Sequence, residues 1–174
     1  MNPTTYNLKP KTSGFTLIEI IIYTLIFAIV ILGIVSFMLF ATQSRIKNQV
    51  VAEVEQQGTQ VMQLITQTIR NGTGINSPTI GSSSNSLSVE VIEAGLDPTV
   101  FDLASGVFRI TEGAGSATDL TSDQISVTSL NFENNTISGT DDTIKIEYTI
   151  EYNNPETDIR YDYSKTFYGS ATRR

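Results

Sequence analysis

The sequence predicts an α+β chain. One long N-terminal helix, membrane-spanning in its first half and amphipathic in its second, precedes a C-terminal head of antiparallel β-sheet. Three observations carry this. The run from Ile20 to Ala41 holds no charge, apolar residues then recur at helical spacing as far as Ile69, and beyond residue 87 the apolar period becomes two. Strands that follow one helix, with no helical patterns between them, pair antiparallel rather than through crossover helices.

Residues 1–14 are polar, contain Pro3, Pro10, Lys9 and Lys11, and lack an apolar segment of their own. They read as a disordered cytoplasmic leader. Residues 15–41 read as a membrane helix: the twenty-two residues from Ile20 to Ala41 extend about 33 Å against a hydrocarbon core of roughly 30 Å. The run is too long for a secretory signal core, and Leu39-Phe40-Ala41 lacks a small-x-small cleavage pattern. Lys9 and Lys11 on one side balance Arg45 and Lys47 on the other, so charge alone does not orient the span. Gly33 and Ser36 are its weak helix formers; they either loosen the helix or let a neighbouring helix approach closely.

Residues 42–72 continue the helix. Ile46, Val50, Val54, Val61, Ile65 and Ile69, flanked by Val51 and Leu64, form one apolar stripe. Gly58 interrupts it at about 1 kcal/mol relative to Ala, and Asn71-Gly72 supplies the stop. Residues 73–86, rich in Gly, Ser, Asn and Pro, read as a linker, and 87–174 as the head. Within the head, Leu87, Val89 and Val91 alternate with polar residues. Val100–Ala104 and Val107–Thr111 suggest a hairpin about Ser105-Gly106. From Gln124 to Glu133 the apolar parity slips at Thr128-Ser129, the signature of a β-bulge. Thr143–Tyr152 alternates without exception, so one face is buried and one wet. A last strand, about Arg160 to Tyr168, carries Tyr161, Tyr163 and Phe167 on one parity.

One residue does not fit a lipid-solvated helix. Glu19 lies just inside the apolar segment, with no other charge before Arg45. A charge at the bilayer centre costs roughly 2.5 to 3.5 kcal/mol, and even near an interface it needs a partner or a proton. The stretch Gly14-Phe15-Thr16-Leu17-Ile18-Glu19, following a short basic polar leader and preceding a long apolar helix, resembles the class III signal of type IV prepilins and of the pseudopilins of type II secretion. That resemblance implies a pilin-like fold, with the amphipathic half of the helix laid on the head's own sheet. It implies cleavage between Gly14 and Phe15 by a prepilin peptidase and N-methylation of the new Phe15 amine. It further implies that Glu19 pairs with the Phe15 amine of a neighbouring subunit, setting the axial stagger of a filament. Cleavage creates an amine of ordinary pKa about 7.7 to 8.0, and Glu19 lies about 6 Å further along the helix.

Leu120–Phe132 and Tyr163-Ser164-Lys165-Thr166-Phe167-Tyr168 resemble segments of minor pilins and J-type pseudopilins, which favours a minor subunit. The partners implied are the peptidase, other pilin subunits and the membrane assembly platform, with lipid as the solvent of the helix before assembly. The implied location is the cytoplasmic membrane, N-terminus in and C-terminus out, and then an extracellular or periplasmic filament. A type II secretion or competence pseudopilin is the alternative within the class. A solitary membrane-anchored receptor or adhesin, acting through its Tyr-rich head, is the alternative outside it.

Composition narrows the chemistry. The chain has no Cys and no His, which excludes disulfides, Ser-His-Asp and Cys-His catalysis and the usual zinc sites. The formal charge is -7, and loss of the leader with its two lysines takes it to -9. An acidic soluble part is no nucleic-acid surface. No cofactor and no enzymatic role are expected. Asp141-Asp142 reads as turn-forming and edge charge rather than calcium ligation, which wants six to eight oxygens. Asp119 with Asp123 and Glu90 with Glu93 read as solvated acids rather than a hydrolase pair. Tyr148, Tyr152, Tyr161, Tyr163 and Tyr168 read as packing in strands rather than a binding surface. Asn71-Gly72-Thr73 and Asn134-Asn135-Thr136 match a glycosylation sequon by chance, and Arg173-Arg174 reads as a solubilising tail.

Overall fold

A computed structural model describes residues 14–154 and 161–174. The leader expected over 1–14 therefore lies outside the described residues except for Gly14. Helix α1 runs Leu17–Asn71, followed by strands β1 (Gly74–Ser77), β2 (Ser83–Ser84), β3 (Leu87–Glu90), β4 (Thr99–Ala104), β5 (Val107–Glu112), β6 (Thr118–Asp119), β7 (Ile125–Asn134), β8 (Thr143–Tyr152) and β9 (Ser164–Thr172). The fold is α+β and pilin-like, one long helix and then antiparallel strands. By contacts the chain divides into Met1–Gln43 and Ser44–Arg174.

In the first unit the helix is apolar on every side. Its large residues from Leu17 to Phe40 are exposed, and none of the span is buried. Its hydroxyls bond back to the helix, Thr24 Oγ1 to the Ile20 carbonyl at 3.0 Å and Ser36 Oγ to the Leu32 carbonyl at 2.8 Å. Such bonds satisfy polar groups where lipid offers none.

The second unit holds the core. Val54, Val61, Ile65 and Ile69 of α1 pack with Leu87, Val89, Phe101 and Phe108, and with the inward residues of β7 and β8. The helical stripe read from sequence is buried from Val50 on, with Ile46 half-buried ahead of it, and its core members lie on the head's own strands. Asn71 ends the helix, and a Cβ on Gly72 would strike Val89, so the chain leaves α1 against β3.

The head has two antiparallel sheets rather than one, ordered β1-β3-β4-β5-β6 and β2-β7-β8-β9. They meet where the β4–β5 hairpin tip, with Ser105 and Gly106 both left-handed (φ 52° and 80°), touches β7 through the bond from Val127 N to Gly106 O at 2.8 Å. Two successive positive φ values make the two-residue turn whose twist suits a hairpin. The register of β7 on β8 shifts between Val127 and Ser129, at the expected bulge. On β8, Ile144, Ile146, Tyr148 and Ile150 are all fully buried.

Two expectations differ. The segment 73–86, read as a linker, contributes β1 and β2, which pair with β3 and β7. These strands are short, Ser-rich and at sheet edges, so backbone pairing rather than apolar alternation holds them. The last strand starts at Ser164 and runs on to Thr172, its tail pairing with Thr143–Ile146; the expected start at Arg160 lies outside the described residues. Gly169 and Ser170 carry no apolar signal, yet Met62 of α1 fills the space where a Cβ on Gly169 would sit.

Candidate functional site

The residues at the head of the helix are Gly14, Phe15 and Glu19. Thr16 caps the helix: its carbonyl accepts from Glu19 N at 3.1 Å and Ile20 N at 3.2 Å, and its Oγ1 accepts from Glu19 N at 3.3 Å. Thr16-Leu17-Ile18-Glu19 is the spacing of a capping box, a signal present in the sequence. Here the Glu19 side chain points down the helix instead. Its Oε1 accepts from the Tyr23 hydroxyl at 3.0 Å, and the Phe15 ring meets the Tyr23 ring edge to face at 6.2 Å. Phe15, Glu19 and Tyr23 thus form one stripe at four-residue spacing. A carboxylate in the first turn also suits the positive end of the helix dipole. Tyr23 was not among the residues that the sequence singled out, although its i+4 relation to Glu19 was visible there.

Gly14 and Phe15 precede the helix, Phe15 is 71% exposed, and a Cβ on Gly14 would meet nothing within 4 Å. Both residues are exposed. Leu17, Ile21, Leu25 and Ile29 are all exposed.

The prokaryotic N-terminal methylation motif family matches residues 9–39. The chain carries a type IV prepilin-like class III signal. The match covers the peptide, Glu19 and most of the apolar span, and stops short of the head. No curated protein and no solved structure matches the chain.

Several of the head's charged groups face one another. Asp141 and Asp142 face Arg173, whose guanidinium lies 3.8 Å from one and 3.1 Å from the other, and Arg173 N donates to the Asp142 carbonyl at 2.8 Å. Arg173 is therefore a clasp between the end of β9 and the β7–β8 loop, not a solubilising tail. Among the described residues no group of three or more His, Cys, Asp or Glu could hold a metal ion. The tyrosines do not make one surface: Tyr148 is fully buried, Tyr152 stacks on Tyr161 at 5.9 Å, and Tyr168 is exposed. Burial pushes the Tyr148 phenol well above its ordinary pKa, and its hydroxyl donates to the Gly58 carbonyl at 2.6 Å. Phe167 stacks on Tyr148 at 5.3 Å and lies where a Cβ on Gly58 would fall. Gly58, read as a helix interruption, is the seat of an aromatic pair. On the helix flank Glu55 takes Lys165 at 2.8 Å, and the hydrogen bond from that ammonium holds its carboxyl below the usual range.

Proposed function

We propose that this chain is a minor subunit of a type IV pilus-like filament. Prepilin peptidase cleaves it between Gly14 and Phe15, the Phe15 amine is methylated, and the subunit enters the filament through its N-terminal helix. Residues 1–14 serve as the leader, 15–41 as the membrane-spanning segment and 42–72 as the amphipathic continuation that carries the head. The N-terminus faces the cytoplasm before assembly, and the head then becomes part of an extracellular or periplasmic fibre.

The observation that carries the reading is a coincidence of position. The methylation-motif match spans most of the apolar part of α1, whose large side chains are exposed on all sides, and the first turn of that helix contains the only carboxylate within the match. Transfer of such a helix from lipid to a bundle gives little hydrophobic gain, because lipid is as apolar as leucine. Packing and the pairing of Glu19 with a neighbour's Phe15 amine supply the specificity. That amine and carboxylate are each poorly solvated alone and neutralise one another together.

Intact-mass analysis of the membrane-extracted protein tests this. The expected mass begins at methylated Phe15 and reverts to the full precursor in a strain lacking the peptidase. An uncleaved chain in both strains overturns the reading and leaves a membrane-anchored β-rich receptor. Recovery of the processed subunit in sheared surface fibres, as against a periplasmic pseudopilus, distinguishes a pilus from a secretion or competence system.

A further inference from the structure

We propose that Tyr23 is a positioning residue for assembly: its hydroxyl holds one oxygen of the Glu19 carboxylate within the chain and leaves the other for a neighbouring subunit's amine. The proposal rests on the assembly role given above to Glu19. Its observation is the 3.0 Å contact between Tyr23 Oη and Glu19 Oε1. An ionised carboxylate only accepts, so the phenol is the donor, and two oxygens with about four lone-pair sites leave Oε2 open. Among the described residues, Tyr23 is the side-chain donor to this carboxylate.

The surroundings make the contact consequential. Phe15 and Tyr23 meet edge to face, so the phenol that holds the Glu19 carboxylate is itself packed against the Phe15 ring. A phenol in an apolar span, like a carboxylate there, requires a partner, and each meets the other's need without leaving the helix. Hydrogen bonds to ionised groups are roughly twice as strong as neutral ones. A Glu already fixed by Tyr23 loses less rotamer freedom when the neighbour's amine arrives. The same chain uses this device elsewhere: Gln57 Nε2 donates to the carboxylate of Glu53, four residues before it.

The test separates ring from donor in the full-length chain. Tyr23→Phe keeps the ring and removes the donor; Tyr23→Gln keeps a donor at i+4 and removes the ring. Intact mass reports processing, and the ratio of subunit in the filament fraction to subunit in the membrane pool reports assembly. Both variants are expected to be cleaved and methylated as wild type is. The assembled ratio is expected to fall about tenfold for Tyr23→Phe and to stay within about threefold of wild type for Tyr23→Gln, the scale of one hydrogen bond to a charged group. Wild-type assembly by Tyr23→Phe, or an equal loss by Tyr23→Gln, overturns the role of Tyr23 and leaves that of Glu19 standing. A wild-type chain that is never cleaved overturns the prepilin reading, and the role of Tyr23 with it.

Discussion

Gly58 is the residue at which local preference and tertiary packing disagree most plainly. Alanine in a helix interior is worth about 1 kcal/mol over glycine, so propensity alone favours Gly58→Ala. The Phe167 ring, stacked on Tyr148, occupies the space that a Cβ needs. The collision is with a ring stacked on the fully buried Tyr148, so it outweighs propensity, and Gly58→Ala is expected to lower stability by about 1 to 3 kcal/mol. Thermal unfolding of the detergent-solubilised chain measures it, and Phe167→Leu in the same chain should recover part of the loss. Tyr148 adds a pH dependence. Its phenol is raised in the folded state by burial, so the unfolded chain loses this proton first, at pH near 10. Its contribution is complete below that pH and declines as pH rises toward the folded value. Alkaline melts should therefore show a loss of stability above about pH 10 that is smaller in Tyr148→Phe.

At the level of elements, what the sequence disclosed follows from which force holds each one. Strand β8 was legible because burial of alternate residues specifies it, and the buried stripe of α1 because one face meets the core. The bulge in β7 was legible as a slip of parity. Strands β1 and β2 were not, since short edge strands of Ser, Asn and Gly are held mainly by backbone pairing, and the single Ile75 that packs on the core makes no alternation. The extension of β9 past Tyr168 was hidden for a similar reason, as Gly169 is there to admit Met62. Arg173 also escaped: a basic residue near a chain end reads as solvation until its partners, some thirty positions earlier, are brought beside it. Its clasp on Asp141 and Asp142 bears on calcium binding. Two acids that share one guanidinium, Asp142 at 3.1 Å and Asp141 at 3.8 Å, are a poor start toward six to eight oxygens. Millimolar calcium is accordingly expected to leave the melting temperature of the wild-type chain unchanged. Arg173→Ala should lower it modestly, by an amount set by a partly exposed ion pair, about 1 kcal/mol or less. A calcium-dependent rise in wild type would show that the acids are free to bind.

On the scale of the whole molecule, the two units are built for different solvents. From Leu17 to Phe40 the chain exposes its large apolar side chains in every direction; from Val50 on it buries them in one core. The signal site was legible because a lone carboxylate in an apolar run is rare and costly, whereas Tyr23, although it stands four residues on, reads as one more apolar-span residue until its hydroxyl is found on the carboxylate. The first fully buried core residue of α1 is Val50, and every other core residue follows it. A fragment covering 44–174 therefore loses no core side chain. It is expected to be a water-soluble monomer that unfolds cooperatively, with fraying of the helical turn before Val50, where nothing is buried against it. Sedimentation and a circular-dichroism melt check this. The full chain should instead remain with membranes through an alkaline carbonate wash, because about thirty ångströms of uncharged helix have no other place to be solvated. An aggregated fragment would mean that the span contributes to the stability of the head. A folded one assigns solvation of the span and folding of the head to separate stretches of one helix, as a subunit that changes its surroundings from lipid to filament requires.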